Sequence, residues 1–290
     1  MCIRDRLDSI LDEVREHVYR YVRRHGRRLD EARLMLGEMY MGGDDVLWFV
    51  PGYLGIPVAL LLISKFYELT GGRLTLSVGV VNANARYSVY DVMELAERLL
   101  KSAKKLYMSK YGLEDLAKGF IDFEFLTEGS PGGGGLESLR KTLERWGMTC
   151  KPYFVPRDDV MLPENALDRN FNQLLHVIPH FDYFWRSLKG EGDFRYDEEW
   201  VSGLKRAAKW MSRVLNMFKS VDPRERVREK GAALLYVMRE SFRGGEGRDP
   251  ALLEKIFILL NPKSGGKALE APILLSDALD VVKMLGGGKV

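Results

Sequence analysis

The chain has 290 residues, 46% of them hydrophobic, and a formal net charge of only +3. This length suits one large or two ordinary domains with an ample apolar core, and so small a charge argues against a protein that wraps nucleic acid along its whole surface. Cys2 and Cys150 form no disulfide framework and match no metal-binding spacing, which favours a reducing, cytoplasmic location.

The first six residues lack the apolar core of a signal peptide, and they resemble the translated end of a sequencing adaptor. We therefore expect residues 1–6 to be an artefact and the gene to be truncated at its 5′ end. Residues 7–29 carry apolar residues at helical spacing, and Gly26 marks the expected end of this helix. The arginines between positions 20 and 28 are interpreted as a solvated helix face, although they could also meet phosphate.

Residues 35–50 predict a hairpin with two adjacent carboxylates, Asp44 and Asp45, directly after Gly42 and Gly43. Glycine permits the positive backbone dihedrals of a short turn, and the flanking runs have the bulk of strands. Oxygen ligands at a rigid tip suit Mg²⁺ (or Mn²⁺), which is often held by one or two carboxylates together with substrate phosphates. The pattern favours two-metal nucleotidyl transfer over the alternative, an ordinary polar turn, because helices and strands surround it in an informative order.

Residues 46–64 contain no charge and are nearly long enough to span a membrane. Pro51, Gly52, Gly55 and Pro57 interrupt the run, so we expect a strand at 46–50, a turn, a helix at 57–69 and no membrane segment. A strand at 73–81, a helix from its cap at Ser88 to about residue 110, and a strand at 120–126 complete the pattern. This order predicts an α+β fold, a ferredoxin-like palm that lacks its first strand.

The remaining chain predicts an all-α bundle. Residues 129–161 are interpreted as a glycine-rich connector, since the glycine run lacks the Gly-Lys-Ser/Thr of a phosphate-binding loop, and residues 162–290 as a helical domain. Trp200 and Trp210 are expected to be buried more often than displayed. The bases near them, together with these tryptophans, could contact RNA or a neighbouring subunit, but we prefer a structural role. These bases are Lys205, Arg206 and Lys209.

Three segments of residues 41–105 resemble the second palm domain of the large subunit of type III CRISPR effector complexes, the Cas ten family. They are Met-Gly-Gly-Asp-Asp-Val-Leu-Trp-Phe-Val-Pro at 41–51, Gly-Gly-Arg-Leu-Thr-Leu-Ser-Val-Gly-Val-Val at 71–81, and the helix at 87–105 that begins Tyr-Ser-Val-Tyr and ends Lys-Ser-Ala-Lys-Lys. All three occur in that family's order and spacing. Residues 121–128 and 148–153 are similar to the family less specifically.

The resemblance implies an enzyme of antiviral defence that joins ATP into cyclic oligoadenylates when its complex binds target RNA. It implies that Asp44 and Asp45 bind the catalytic metal ions and that Gly42 and Gly43 let backbone and phosphate approach closely. Ser77 and Gly79 match a small-residue strand beneath the nucleotide, although close packing explains them equally well. The implied partners are the small and backbone subunits of the effector, guide RNA and target RNA.

Two alternatives stay open. A palm normally supplies a further metal-binding carboxylate from its first strand, so this chain could be an inactive scaffold that holds effector subunits and RNA. Arg169 and His176 have a spacing that resembles small helical ribonucleases found beside these complexes, although a core histidine is commoner in an apolar helix.

The palm interpretation makes two geometric predictions. The helices at 57–69 and 88–110 should cover the sheet face opposite the hairpin tip. The sheet should show an unpaired edge where the first strand belongs, with apolar residues of helix 7–29 left exposed.

Overall fold

A computed structural model of the protein describes residues 3–24, 37–42, 45–84, 86–108, 113, 115–126, 133–145, 147–176, 178, 181–192, 194, 198–218, 225, 228–230, 232–233, 235–237, 250–260 and 274–286. Its helices are α1 (Ile3–Arg24), α2 (Gly55–Leu69), α3 (Val89–Tyr107), α4 (Gly133–Arg145), α5 (Asn172–Leu175), α6 (Phe181–Leu188), α7 (Glu198–Leu215), α8 (Pro250–Leu260) and α9 (Leu275–Leu285). Its strands are β1 (Gly37–Gly42), β2 (Asp45–Phe49), β3 (Leu76–Asn82), β4 (Ala117–Phe125) and β5 (Tyr153–Pro156). Short 3₁₀ helices occupy Gly52–Leu54 and Glu164–Arg169.

Helix α1 buries its apolar stripe against α2, and its C-terminal half also contacts α6. The stripe residues Ile10, Leu11, Val14, Val18 and Tyr21 are at most 2% exposed. Our prediction that this helix exposes apolar residues is therefore wrong, because neighbouring helices cover the face that we assigned to a missing strand. The helix also begins at Ile3, inside the segment that we interpreted as an adaptor artefact.

Strands β1 and β2 form the predicted antiparallel hairpin. Its register runs from Gly37 opposite Phe49 to Gly42 opposite Asp45, with an irregularity between Glu38 and Tyr40. Residues 43 and 44, between these two paired positions, lie outside the described residues. The predicted strand at 46–50 is confirmed, and its first paired residue is Asp45.

The uncharged run breaks after β2, as Pro51 and the glycines predict, into a 3₁₀ turn and helix α2. By length and composition the stretch Gly52–Leu69 could cross a membrane, with a mean hydropathy of 1.3, yet 56% of it is buried inside the protein. Helix α2 lies between α1 and the strands β3 and β4, so it needs apolar residues on most of its circumference.

The second sheet has the order β3-β4-β5. Strand β4 runs parallel to β3, with Leu76 opposite Gly119, and β5 runs antiparallel to β4. Helix α3 is the crossover between the two parallel strands. A helical crossover of this kind is the usual connection between neighbouring parallel strands.

Helices α2 and α3 cover opposite faces of this second sheet. The side chain of Val80 in β3 faces α2, since its Cγ1 atom would lie 3.3 Å from a Cβ placed on Gly55. The preceding strand residue, Gly79, faces α3, because a Cβ placed on it would meet the backbone of that helix. Successive side chains of a strand point to opposite faces, so the two helices lie on different sides of β3. Our prediction of both helices on one face is wrong, because α3 returns the chain to β4 on the side of the sheet that α2 leaves open.

Within the described residues, β2 pairs only with β1, and β3 pairs only with β4. The hairpin and the second sheet are thus two separate sheets, each with a free edge. This agrees with the predicted unpaired edge, whereas the predicted exposure of α1 fails.

The interval that we interpreted as a connector, residues 129–161, contains helix α4 and strand β5. The connector prediction is wrong there because tertiary contacts outweigh the low helix propensity of glycine. Arg140 of α4 binds buried carboxylates of β4, which holds the helix against the sheet. The predicted helical domain begins with the 3₁₀ turn Glu164–Arg169, which α5 and α6 follow.

The C-terminal helices share one core with the palm elements. A single cluster of buried residues includes Val14 of α1, Leu61 of α2, Phe123 of β4, Met211 of α7 and Val282 of α9. Trp200 and Trp210 are 4% and 7% exposed, as predicted. Because α9 packs on α7 and also on β4 and α2, the helical region is built onto the palm.

Candidate functional site

The hairpin presents Asp45 to solvent at the start of β2. Its side chain is 58% exposed, and Lys104 Nζ lies 3.7 Å from its Oδ1 atom. Lys104 belongs to the last turn of α3 and is itself about half exposed. An exposed ion pair of this length is weak and readily screened, so a stronger cation or an anionic ligand can replace either partner. Asp45 and Lys104 therefore form an open, charged site between the hairpin and α3.

Gly79 explains how α3 comes close enough to place Lys104 there. A Cβ on Gly79 would lie 2.4 Å from the Ala96 carbonyl oxygen and 2.6 Å from the Leu100 backbone nitrogen. Any side chain would push this part of α3 away from β3. Lys104 follows Leu100 by one helical turn, so the missing side chain of Gly79 sets the position of the cation beside the hairpin.

The packing interpretation of Gly79 thus has direct geometric support. Ser77 lies two residues earlier, on the same face of β3, and is partly buried. Contact of Ser77 or Gly79 with a nucleotide stays a prediction.

Of the other predicted site residues, the structure describes Gly42. Gly42 ends β1 opposite Asp45, as a short hairpin requires. Gly43 and Asp44 fall outside the described residues. Asp44 directly precedes Asp45 in the sequence.

The Asp45 carboxylate can bind a hard cation such as Mg²⁺ only when a further oxygen ligand completes the site. Among the described residues no group of three histidine, cysteine, aspartate or glutamate side chains is placed to hold a metal ion. An exposed carboxylate at a strand start nevertheless meets the requirement of Mg²⁺, which keeps several waters and uses one or two carboxylates with substrate phosphates. Lys104 marks a position beside Asp45 where positive charge is already favourable.

Arg169, one of the two residues with ribonuclease-like spacing, has a structural role in the fold. Arg169 Nη1 donates to the Cys150 and Pro152 carbonyl oxygens at 2.9 and 3.1 Å, and the guanidinium lies 3.6 Å from Glu144. These contacts fix the segment before β5. His176 is exposed at the end of the four-residue helix α5, so our prediction of a core histidine is wrong.

Sequence reasoning missed a buried charge network beside the second sheet. Arg140 donates to both oxygens of Asp122 at 2.8 and 2.6 Å and to Glu124 Oε2 at 2.8 Å. Lys151 lies 2.6 Å from Asp280 and 3.7 Å from the same Glu124 oxygen. Glu124 therefore joins α4 on one side to α9 on the other.

Asp277 of α9 is a second fully buried carboxylate of this network, beside Asp122. It accepts hydrogen bonds from the Thr149 hydroxyl, the Cys150 backbone N–H and the Tyr153 hydroxyl. Burial raises the pKa of Asp277, although Lys151 and the three donors oppose that rise. Burial and the Asp277 charge likewise raise the pKa of Tyr153, and burial raises that of Cys150, so neither group is an active nucleophile.

Lys151 and Arg140 keep their charge despite burial. Burial alone lowers the pKa of Lys151, but the nearby carboxylates, led by Asp280 and Glu124, outweigh it and the pKa is raised. The same balance raises the pKa of Arg140, through Asp122 and Glu124. One signal was present in the sequence: Ile121 to Phe125 alternates apolar and acidic residues, which places Asp122 and Glu124 on one face of a strand whose other face is apolar.

Residues 6–111 match a protein family described as Cas10/Cmr2, second palm domain. The match includes α1, the hairpin, α2, β3 and α3, and with them Asp45, Gly79 and Lys104. No curated protein and no solved structure matches the chain significantly.

Proposed function

Residues 6–111 belong to the Cas10/Cmr2 family as its second palm domain, and from this premise we propose that the parent protein is a magnesium-dependent nucleotidyltransferase that makes cyclic oligoadenylates from ATP. The family places the chain in the large subunit of a type III CRISPR effector. The observation that carries the proposal is the exposed pair of Asp45 and Lys104, in which a carboxylate suited to a metal ion lies beside a cation suited to phosphate, between the hairpin and α3.

Asp44 and Asp45 would hold the magnesium ions, which when bound activate an attacking hydroxyl and balance charge on the transferred phosphoryl group. The ammonium of Lys104 is free to leave Asp45 and bind a phosphate oxygen of ATP, because their contact is long and exposed. Gly42 and Gly43 add no side chain at the tip and so let phosphate approach the backbone. Ser77 would line the strand beneath the nucleotide, whereas Gly79 would contribute through the close packing of α3 that places Lys104.

The proposal includes the setting of the reaction. Target RNA bound to guide RNA in the complex would activate the site in antiviral defence, in the cytoplasm. The helices after residue 162 would hold the small subunits beside the backbone subunits. The core shared by α7, α9 and the palm supports this arrangement, because a subunit bound to the helices would rest on a body continuous with the site.

The deciding experiment uses the full-length parent assembled with its subunits and guide RNA. We expect Asp44→Ala with Asp45→Ala to abolish oligoadenylate formation from labelled ATP while target RNA binding persists, since Asp45 is exposed at the start of β2. Asp91→Ala is the matched control. It removes an exposed carboxylate at the N-terminal end of α3, where an acidic residue interacts favourably with the helix dipole.

Undiminished product from the double variant would remove these residues from the mechanism. Absence of product from the wild-type complex, with target RNA bound, would identify the palm as a scaffold.

A further inference from the structure

Helix α7 exposes four cations along one side. Lys205, Arg206, Lys209 and Arg213 are all exposed, and their spacing of one, three and four residues places them on one helical face. We call this face the α7 basic stripe. Lys205 and Arg213 are eight residues apart, about 12 Å along the axis, or about the rise of three to four nucleotides of a B-form strand.

The sequence around the α7 basic stripe is free of acidic residues. Between Trp200 and Ser220 the sequence contains no acidic residue. Within the described part of the chain none of the four cations forms an ion pair. Arg206 contacts the Ser202 hydroxyl at 3.3 Å, and the Arg213 guanidinium lies 5.2 Å from the Trp210 ring centroid.

Three surface cations of other helices are paired with an acidic residue of their own helix. Arg98 and Lys101 of α3 lie 2.6 Å from Glu94 and Glu97, and Lys141 of α4 lies 2.8 Å from Glu137. Each of these pairs has the i,i+4 spacing that stabilises an isolated helix. The sequence of α7 omits this compensation, so an external anion is the natural counter-charge for its stripe.

We propose that the α7 basic stripe binds the phosphodiester backbone of a nucleic-acid strand. A protein partner is less suited, since the cores of protein interfaces are rich in aromatic residues and poor in lysine, and the exposed positions of α7 from Ser202 to Arg213 are polar or basic. Trp200 and Trp210 are buried and offer no surface on which a base can stack. Recognition is therefore electrostatic and independent of base sequence.

This surface is separate from the proposed metal site. Helix α7 packs on α9, which lies between it and the palm elements α2 and β4. Binding at the stripe therefore requires neither metal nor nucleotidyl transfer, and it can be tested whether or not the palm is active.

The test is fluorescence anisotropy of the whole chain with a labelled 20-nucleotide single strand of mixed sequence, prepared as RNA and as DNA, over a range of KCl concentrations. The variant is Lys205→Gln with Arg206→Gln and Lys209→Gln, which keeps the Arg213–Trp210 contact and uses a good helix former. The control is Arg98→Gln with Lys101→Gln and Lys141→Gln, an equal loss of charge at compensated sites.

We expect the stripe variant to bind roughly tenfold to a hundredfold more weakly at about 0.1 M salt. The slope of log affinity against log salt should fall by about 2, the value for three lost phosphate contacts on a single strand. The control should change the slope by less than half as much. Equal affinity for RNA and DNA would show that the stripe binds the phosphate backbone, which both share. Stronger binding of RNA would identify RNA as the ligand, recognised through its 2′-hydroxyls.

An unchanged slope in the stripe variant, with circular dichroism showing an intact fold, would overturn the proposal. Competition by polyglutamate as effective as by the nucleic acid at equal charge would also overturn it, because the stripe would then suit an acidic protein partner. A second variant, Lys205→Glu with Lys209→Glu, guards against a weak effect. It should weaken binding further, and equal binding to wild type would contradict the inference.

Discussion

The Tyr153 hydroxyl donates a 2.6 Å hydrogen bond to the Asp277 carboxylate, which ties strand β5 to helix α9 across 124 residues of sequence. Lys151 adds a second tie two residues away, through Asp280. These contacts join the last helix of the chain to the sheet that α3 and α4 cover. They predict where the protein is most sensitive to substitution.

Lys151→Met should destabilise the fold by about 3–5 kcal/mol, because it leaves the buried Asp277 and the partly buried Asp280 and Glu124 without their shared cation. Urea denaturation followed by circular dichroism measures the loss. Lys101→Met is the matched control, since Lys101 forms a similarly short ion pair with Glu97 in solvent. If both variants unfold at the same urea concentration, the buried network contributes no more than a surface pair.

Asp277→Asn should change the pH dependence of stability. The pKa of Asp277 is raised in the folded protein, so the folded state takes up this proton before the unfolded state does as the pH falls. Wild type should therefore gain stability relative to the variant as the pH falls through that raised pKa, and lose this gain as the pH rises through it. Denaturation curves of both proteins between about pH 8 and about pH 4 test the sign. The prediction would be contradicted if the stability of wild type relative to the variant increased as the pH rises.

Gly79→Ala should destabilise the protein by about 1–3 kcal/mol or more, because the new methyl group would collide with the backbone of α3. It should also move Lys104 away from Asp45 and lower the activity of the parent enzyme. Gly192→Ala is the control. Its added Cβ would lie 3.7 Å from the nearest atom, an ordinary contact, so stability should change little. Equal stability of the two variants would show that α3 shifts without cost.

Lys104→Gln should weaken ATP binding in the assembled parent, with a rise in KM of roughly tenfold to a hundredfold, the range for a lost hydrogen bond between charged groups. Initial rates of oligoadenylate formation at varied ATP concentration provide the measurement. Lys101→Gln, three residues earlier and paired with Glu97, should leave KM unchanged. An unchanged KM in the Lys104 variant would restrict that lysine to its contact with Asp45.

The sequence by itself determined the local elements of the palm. Glycine and proline positions predicted the hairpin and the break at Pro51, and helical spacing predicted α1, α2 and α3, because these features depend on backbone dihedrals and on residues close in the chain. The cap at Ser88 is present, with its hydroxyl accepting from the Asp91 backbone N–H. The resemblance to the palm family, carried by three local segments, is confirmed by the match over residues 6–111.

Only the tertiary structure decided what distant segments do to one another. Helix α4 forms in a glycine-rich stretch because Arg140 meets Asp122 and Glu124 of another element. Gly79 is required because a helix backbone lies against it, and Lys104 reaches Asp45 only through that close approach. Local sequence patterns indicate helix or strand propensity and amphipathic faces. A buried charge, however, is stable only where an opposite charge from a distant segment contacts it, and no local pattern identifies that partner.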